Sequence, residues 1–321
     1  HRDLHTAYRR QRQMCIRDGL IPLLSLSLLV TPAYSSHAAE NAEAAGTSVE
    51  GQGMLSPSSS SESSESVFNG SGAGTSSEPV TDEKLETILK QVQSQLPAEN
   101  GTWAVFISDL VNGTEGSLND QKMQAASLIK LYIMGAVYEN YDQITGQYGR
   151  DSVDSNLYSM ITISDNDAAN TLTTYLGGGD SAAGMQAVNS FCQAHGYDQT
   201  HMGRMLLASN ENDDNYTSVG DCGHLLQEIY KQDTSGYTHA TDMFNLLKAQ
   251  TRCNKIPAQL PEGVKTANKT GELDNVENDA GIIYDSKNDV VIVFMSQNLS
   301  SAGSAQNTIA TLSRTIYDYY N

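Results

Sequence analysis

A chain of 321 residues, 39% hydrophobic and 18% charged, is long enough to bury one large core or two small ones. Its formal net charge of −19 argues against binding a nucleic-acid backbone or docking on an anionic membrane surface. Its four cysteines, Cys15, Cys192, Cys222 and Cys253, show no Cys-x-x-Cys or Cys/His spacing that would frame a metal.

In chain order, "HRDLHTAYRRQRQM" runs up to the first methionine, Met14, and reads as sequence outside the coding start. Arg17 then precedes an apolar run from Leu20 to Val30, followed by small residues at Ser36 and Ala38. That pattern predicts an export signal cleaved near Ala38 or Ala39, too short to stay in a bilayer as a spanning helix. An uncut N-terminal anchor is the alternative. Residues 1–39 are therefore set apart from the fold, and export to the cell envelope or beyond is expected. Residues 40–80, with "SPSSSSESSES", are rich in Ser, Glu and Gly and hold no Lys or Arg. Such a segment buries too little apolar surface to order itself and reads as a linker.

The folded domain is expected over 81–321. "TDEKLETILKQVQSQL" has helical periodicity behind an N-cap candidate. "TWAVFISDLVNG" reads as a strand ending in an Asn112-Gly113 turn. Helical patterns dominate from about 125 to 250. Strands return in "GVKTANKTGEL", "DAGIIYDS" and "DVVIVFMSQ", with a tight turn at "SKND", and "AQNTIATLSRTIYDYY" closes the chain as a helix. Strands from both ends of the domain thus bracket an all-α insert. The fold class is α/β (α+β): a mostly antiparallel sheet carrying the terminal helices. If Cys15 is lost with the signal, the alternatives are a Cys222–Cys253 bridge or three buried free thiols.

"QAASLIKLYIMGAVYE" at 124–139 places Ile129, Ile133, Ala136 and Val137 on one flank of a helix, with Ser127 and Lys130 three apart near its start. A capping serine beside a solvated lysine is one reading; a nucleophile beside its base is the other. Two further runs bear on the choice: Ser164-Asp165-Asn166 in "ISDND" and Lys269-Thr270-Gly271 in "ANKTGEL". Ser-x-x-Lys, Ser-Asp-Asn and Lys-Thr-Gly in that order form the motif set of class A β-lactamases and penicillin-binding proteins.

Over 81–321 the sequence resembles the class A β-lactamase family within the penicillin-recognising serine enzymes. The resemblance implies that Ser127 is the nucleophile and Lys130 the acylation base, with Ser164 relaying a proton to the leaving nitrogen and Lys269 completing the network. Asn166 would bind the substrate's acylamide, and Lys269 with Thr270 its carboxylate. The N–H groups of Ser127 and of Glu272, just past Gly271, would form the oxyanion hole. Lys255, in "RCNKIPAQLP" where some relatives carry an Arg, is the candidate second cation, with Arg252 as its alternate. No cofactor or metal is implied, and His195, His201 and His239 match no metal motif. The expected partner is a small-molecule β-lactam or a peptidoglycan stem peptide, bound by a monomer.

One family residue is missing. In "HMGRMLLASN", Arg204 and Asn210 fit the loop pattern Arg-x-Glu-x-x-x-Asn, but Leu206 stands where the deacylating Glu belongs. A leucine takes no proton, so hydrolysis of an acyl-enzyme should be impaired. Three functions remain open: a D,D-peptidase-like acyltransferase or penicillin-binding protein, as in relatives lacking this Glu; a β-lactamase with another deacylating group, Glu211 among the candidates; or a β-lactam sensor that stays acylated.

Overall fold

The computed structural model describes residues 82–232 and 237–321; the expected signal and linker lie outside the described residues. The chain opens with α1 (Glu83–Gln95), whose first turn is capped by the Asp82 carboxylate, accepting from the N–H groups of Lys84 and Leu85. β1 (Thr102–Asp109) and β2 (Thr114–Leu118) form a hairpin, with the Asp109 carboxylate accepting from the Val111 and Asn112 N–H groups in its turn. β3 (Met123–Gln124) and a 3₁₀ turn (Ala126–Leu128) then lead into the helical insert. This comprises α2 (Ile129–Glu139), α3 (Tyr141–Tyr148), α4 (Arg150–Thr162), α5 (Asn166–Leu176) and α6 (Ser181–Ala194). β4 (Tyr216–Thr217) pairs with β3, and α7 (Val219–Lys231) and α8 (Ala240–Lys248) follow. A 3₁₀ turn at Ile256–Gln259 precedes β5 (Lys265–Leu273), β6 (Val276–Tyr284), β7 (Val290–Gln297) and α9 (Ala302–Tyr320).

Among the described residues, the main sheet has the order β2-β1-β7-β6-β5, antiparallel throughout. The first and last segments of the domain therefore meet at its centre, where β1 pairs with β7, and β5 is an edge strand.

Strand alternation divides the core in two. Trp103, Val105 and Ile107 of β1, with Ile292 and Phe294 of β7, pack against Ile88 of α1 and Ile309, Leu312 and Ile316 of α9. The intervening Ala104, Phe106, Val291 and Val293 turn to the other face, toward the helical insert. There α7 lies close on β1: a Cβ at Gly223 would sit 2.4 Å from the Phe106 ring.

α2 departs from the single buried flank read in the sequence. Every residue from Ile129 to Tyr138 is buried, Lys130 included. A helix apolar on all sides sits inside a core rather than on its surface, and α2 is packed among α3, α4, α5 and α6.

The Cys222–Cys253 alternative is corrected by the structure. Cys192 and Cys222 are both buried free thiols, whereas Cys253 is only half-buried, so the alternative of three buried free thiols is overturned as well. Cys222 faces inward from α7, where the Tyr132 hydroxyl donates to its Sγ at 3.4 Å. Burial pushes both thiols up to about 12. No helix among the described residues is long and apolar enough to cross a membrane.

Ile309 is fully buried between α9 and the sheet. Ile309→Ala is expected to lower unfolding stability by about 2–5 kcal/mol, read as a fall in the urea midpoint.

Candidate active site

The site forms where the helical insert meets the edge strand β5. Ser127 sits on the 3₁₀ turn ahead of α2. The residue before it, Ala126, has φ +47, in the left-handed region. Ser164 (φ +61) and Leu207 (φ +67) share that conformation; the remaining non-glycine residues of positive φ among the described residues are Asn119, Gln232, Asp285 and Asn298. Asn and Asp adopt it readily, whereas Ala, Ser and Leu do so only where surrounding contacts hold them. Ala126 and Ser164 lie at the site, and Leu207 follows Leu206 in its loop.

Lys130, on the first turn of α2, is fully buried and its Nζ has four oxygen neighbours. These are Ser127 Oγ at 3.1 Å, Ser164 Oγ at 3.1 Å, the Ser164 carbonyl at 2.7 Å and Asn166 Oδ1 at 2.6 Å. The Ser-Asp-Asn run can supply three of them because Asp165 takes the capping role: its carboxylate accepts from the Ala168 N–H at 2.7 Å and starts α5. Ser164 and Asn166, on either side of the cap, are left to face Lys130.

Burial drives the Lys130 amine down to about 7; the nearby Arg252 guanidinium adds to the effect and Asp165 opposes it. Two cations thus stand near Lys130: Arg252, and Lys269, whose amine shares Ser164 Oγ with it. Lys269 is itself fully buried on β5, donating to Ser164 Oγ at 2.9 Å and to the Thr270 carbonyl at 2.7 Å. Burial, then the charges of Lys130, Arg252 and Lys255, hold its amine well below the usual lysine range. Ser127, Lys130, Ser164, Asn166 and Lys269 therefore form one hydrogen-bonded cluster.

Gly271 explains how β5 comes so near the nucleophile. A Cβ there would lie 2.9 Å from the Ala125 carbonyl and 3.2 Å from the Ser127 nitrogen, so only glycine fits without displacement. The next residue, Glu272, follows on an edge strand, where alternate backbone N–H groups are left unpaired by the sheet. Thr270 is buried beside Lys269. Asn278 on β6 ties the assembly together, donating to the Gln124 and Ala125 carbonyls at 2.9 and 3.2 Å and accepting from the Ser296 N–H at 3.0 Å.

The loop after α6 is closed by Arg204, whose Nε donates to the buried Asp214 carboxylate at 2.6 Å. Asn210 reaches the same carboxylate at 3.5 Å. Leu206 is held by its backbone: its N–H donates to Asn170 Oδ1 at 2.8 Å, and Asn170 Nδ2 donates to its carbonyl at 2.9 Å. The Leu206 side chain is buried in the main core, whereas Glu211 is exposed.

Asn170 was not among the residues singled out from the sequence. Its signal is its place one helical turn after Asn166, on the same face of α5. Lys255 is fully buried and fully partnered. Its Nζ meets Glu277 Oε2 at 2.6 Å, Glu272 Oε1 at 3.2 Å, and the carbonyls of Asn278 and Gly271 at 3.0 and 3.3 Å. Arg252 is the partly exposed cation, paired with Glu272 at 2.9 Å. His195, His201 and His239 lie apart from this cluster and each pairs with one carboxylate, of Glu139, Asp213 and Asp242 respectively.

A protein-family model described as "Beta-lactamase enzyme family" matches residues 84–151 and 147–320. No curated protein sequence matches the chain. Among solved structures, a β-lactamase from Sphaerobacter thermophilus superposes with a TM-score of 0.62 at 22% identity, over 73% of this chain and 96% of that one. PBP-A superposes with a TM-score of 0.64 at 23% identity, again over 73% of this chain and 96% of its own. A leucine-to-glutamate mutant of PBP-A, solved as an acyl-enzyme complex with penicillin G, also matches, with a TM-score of 0.63 at 23% identity, over 73% of this chain and 96% of its own. These likenesses establish the class A fold, and the family model spans nearly all of the described domain: the chain belongs to the beta-lactamase enzyme family, as a class A-like penicillin-recognising serine enzyme.

Proposed function

We propose that the protein forms an acyl-enzyme on Ser127 with β-lactams and with peptides ending in D-Ala-D-Ala, and that water removes the acyl group slowly. The observation that carries this reading is Leu206, clamped by Asn170 one helical turn from Asn166, in a protein whose nucleophile, base and proton relay are otherwise in contact.

Acylation follows from the cluster. Neutral Lys130 takes the Ser127 proton as Oγ attacks the carbonyl carbon. The oxyanion is met by the N–H groups of Ser127 and Glu272. The C–N bond breaks as Ser164, hydrogen-bonded to Lys130 and Lys269, passes a proton to the leaving nitrogen. Hydrolysis of the ester then needs a base for water, and the Leu206 side chain offers none. An amine acceptor needs no such base, because its proton can return through Ser164 to Lys130 by the reverse of acylation. That asymmetry favours D,D-peptidase-like acyl transfer to an amine over rapid β-lactam hydrolysis. The apolar Leu20–Val30 run supports a place outside the cytoplasmic membrane, where peptidoglycan stems are found.

Intact-mass spectrometry of the protein mixed with penicillin G is the direct test. A lasting adduct, absent in Ser127→Ala, is expected. Drug loss without an adduct would instead indicate a β-lactamase with another deacylating group. Leu206→Glu is expected to speed adduct release by about 10-fold or more, the scale of general-base catalysis; an unchanged release rate would refute the role given to Leu206. With a neutral ester donor, acylation should rise with pH through about 7 as Lys130 loses its proton. Because the Arg252 charge helps keep Lys130 neutral, Arg252→Gln should raise the lysine's pKa and move that limb to higher pH.

A further inference from the structure

Glu272 places a carboxylate directly after the Lys-Thr-Gly run. On β5, Thr270 and Glu272 share one side, about 7 Å apart along the strand. The Glu272 carboxylate bridges two cations: Oε2 lies 2.9 Å from Arg252 Nη1, and Oε1 lies 3.2 Å from Lys255 Nζ. Lys255 is wholly buried, whereas the side chains of Arg252 and Glu272 are 44% and 30% exposed. Arg252 is tied to Glu272, the residue after Gly271, and Gly271 lies against the Ser127 nitrogen, so the pair stands at the acylation centre. A negatively charged substrate end entering this site therefore meets a guanidinium already neutralised from within.

We propose that Glu272 is a specificity-determining residue, an internal counter-anion on Arg252 that an anionic acyl donor must displace and a neutral one need not. The inference rests on the acyl-enzyme reading above. The geometry permits the exchange: Oε1 stays on Lys255 when Oε2 leaves Arg252, and Lys255 keeps its second carboxylate, Glu277, at 2.6 Å. Opening the pair therefore strands no bare charge. It breaks a partly exposed ion pair, which is a weak contact. Glu272 thus tunes which donors acylate Ser127 without joining the proton transfers.

The test compares penicillin G with its methyl ester, which differ by one carboxylate charge, and times the Ser127 adduct by intact mass in the full protein. Glu272→Gln is expected to raise the ratio of acylation rates, acid over ester, by roughly three- to fivefold at low salt, the scale of such a pair. An unchanged or lowered ratio overturns the proposal, as does equal loss of labelling by both donors, which would make Glu272 a scaffold residue. Arg252→Gln supplies an independent arm: it should lower the ratio, and Glu272→Gln added to it should have no further effect. A rise in that background as large as in the wild type would mean simple repulsion and also overturn the proposal. If the unaltered protein gave no Ser127 adduct with either donor, the acyl-enzyme reading itself would fall; an adduct with an unmoved ratio leaves that reading standing and removes only the role of Glu272.

Discussion

An amine enclosed in a protein core must either give up its charge or be surrounded by oxygen, and Lys130 sits between those limits. Four oxygens approach its nitrogen while burial and the Arg252 charge work against its proton. Much of the surrounding structure answers to this. α2 is enclosed on every side, so the lysine cannot swing out to water. The Ser164 backbone is held left-handed, with both its carbonyl and its hydroxyl on the amine. The sheet and the helical insert meet at this nitrogen through Lys269 and Ser164.

Most of the architecture was legible before any coordinates. Strand signals at both ends of the domain imply a sheet closed by distant segments, and the pairing of β1 with β7 is that closure. The three short motifs are legible because each must keep its residue types at fixed local spacing, and the structure gathers Ser127, Lys130, Ser164, Asn166 and Lys269 into contact. What the sequence hid is long-range. The enclosure of α2 depends on four other helices, and the one-flank reading missed that its run is apolar on every side. Asn170 looks like any polar helix residue until its two backbone hydrogen bonds to Leu206 are seen, 36 positions along the chain. The cations near Lys-Thr-Gly were legible as residues but not in their roles. Both Lys255 and Arg252 are named by the sequence, yet burial separates them: one is locked among carboxylates and carbonyls, the other stands at the rim.

The same division runs through the charge distribution. A protein of net charge −19 must keep its positive charges where they are needed, and four of its nineteen Lys and Arg residues, Lys130, Lys269, Lys255 and Arg252, gather at this one seam. Burial, and then the neighbouring cations, depress the pKa values of Lys130 and Lys269. Glu272, Glu277 and Asp279 balance the group, and Asp279 is itself buried and pushed up to about 6.

The clamp on Leu206 has a further consequence. Asn170 grips the peptide groups of that residue and makes no demand on its side chain. The loop is anchored equally without reference to residue 206, by Arg204 on Asp214. Position 206 is therefore fixed through its backbone, while its side chain answers separately to the core it packs into. Chemistry at that point can change by a single replacement while the hydrogen bonds that shape the loop stay in place. Backbone position and side-chain identity are thus separable here, and the loop can hold its shape through a change at the one residue it grips.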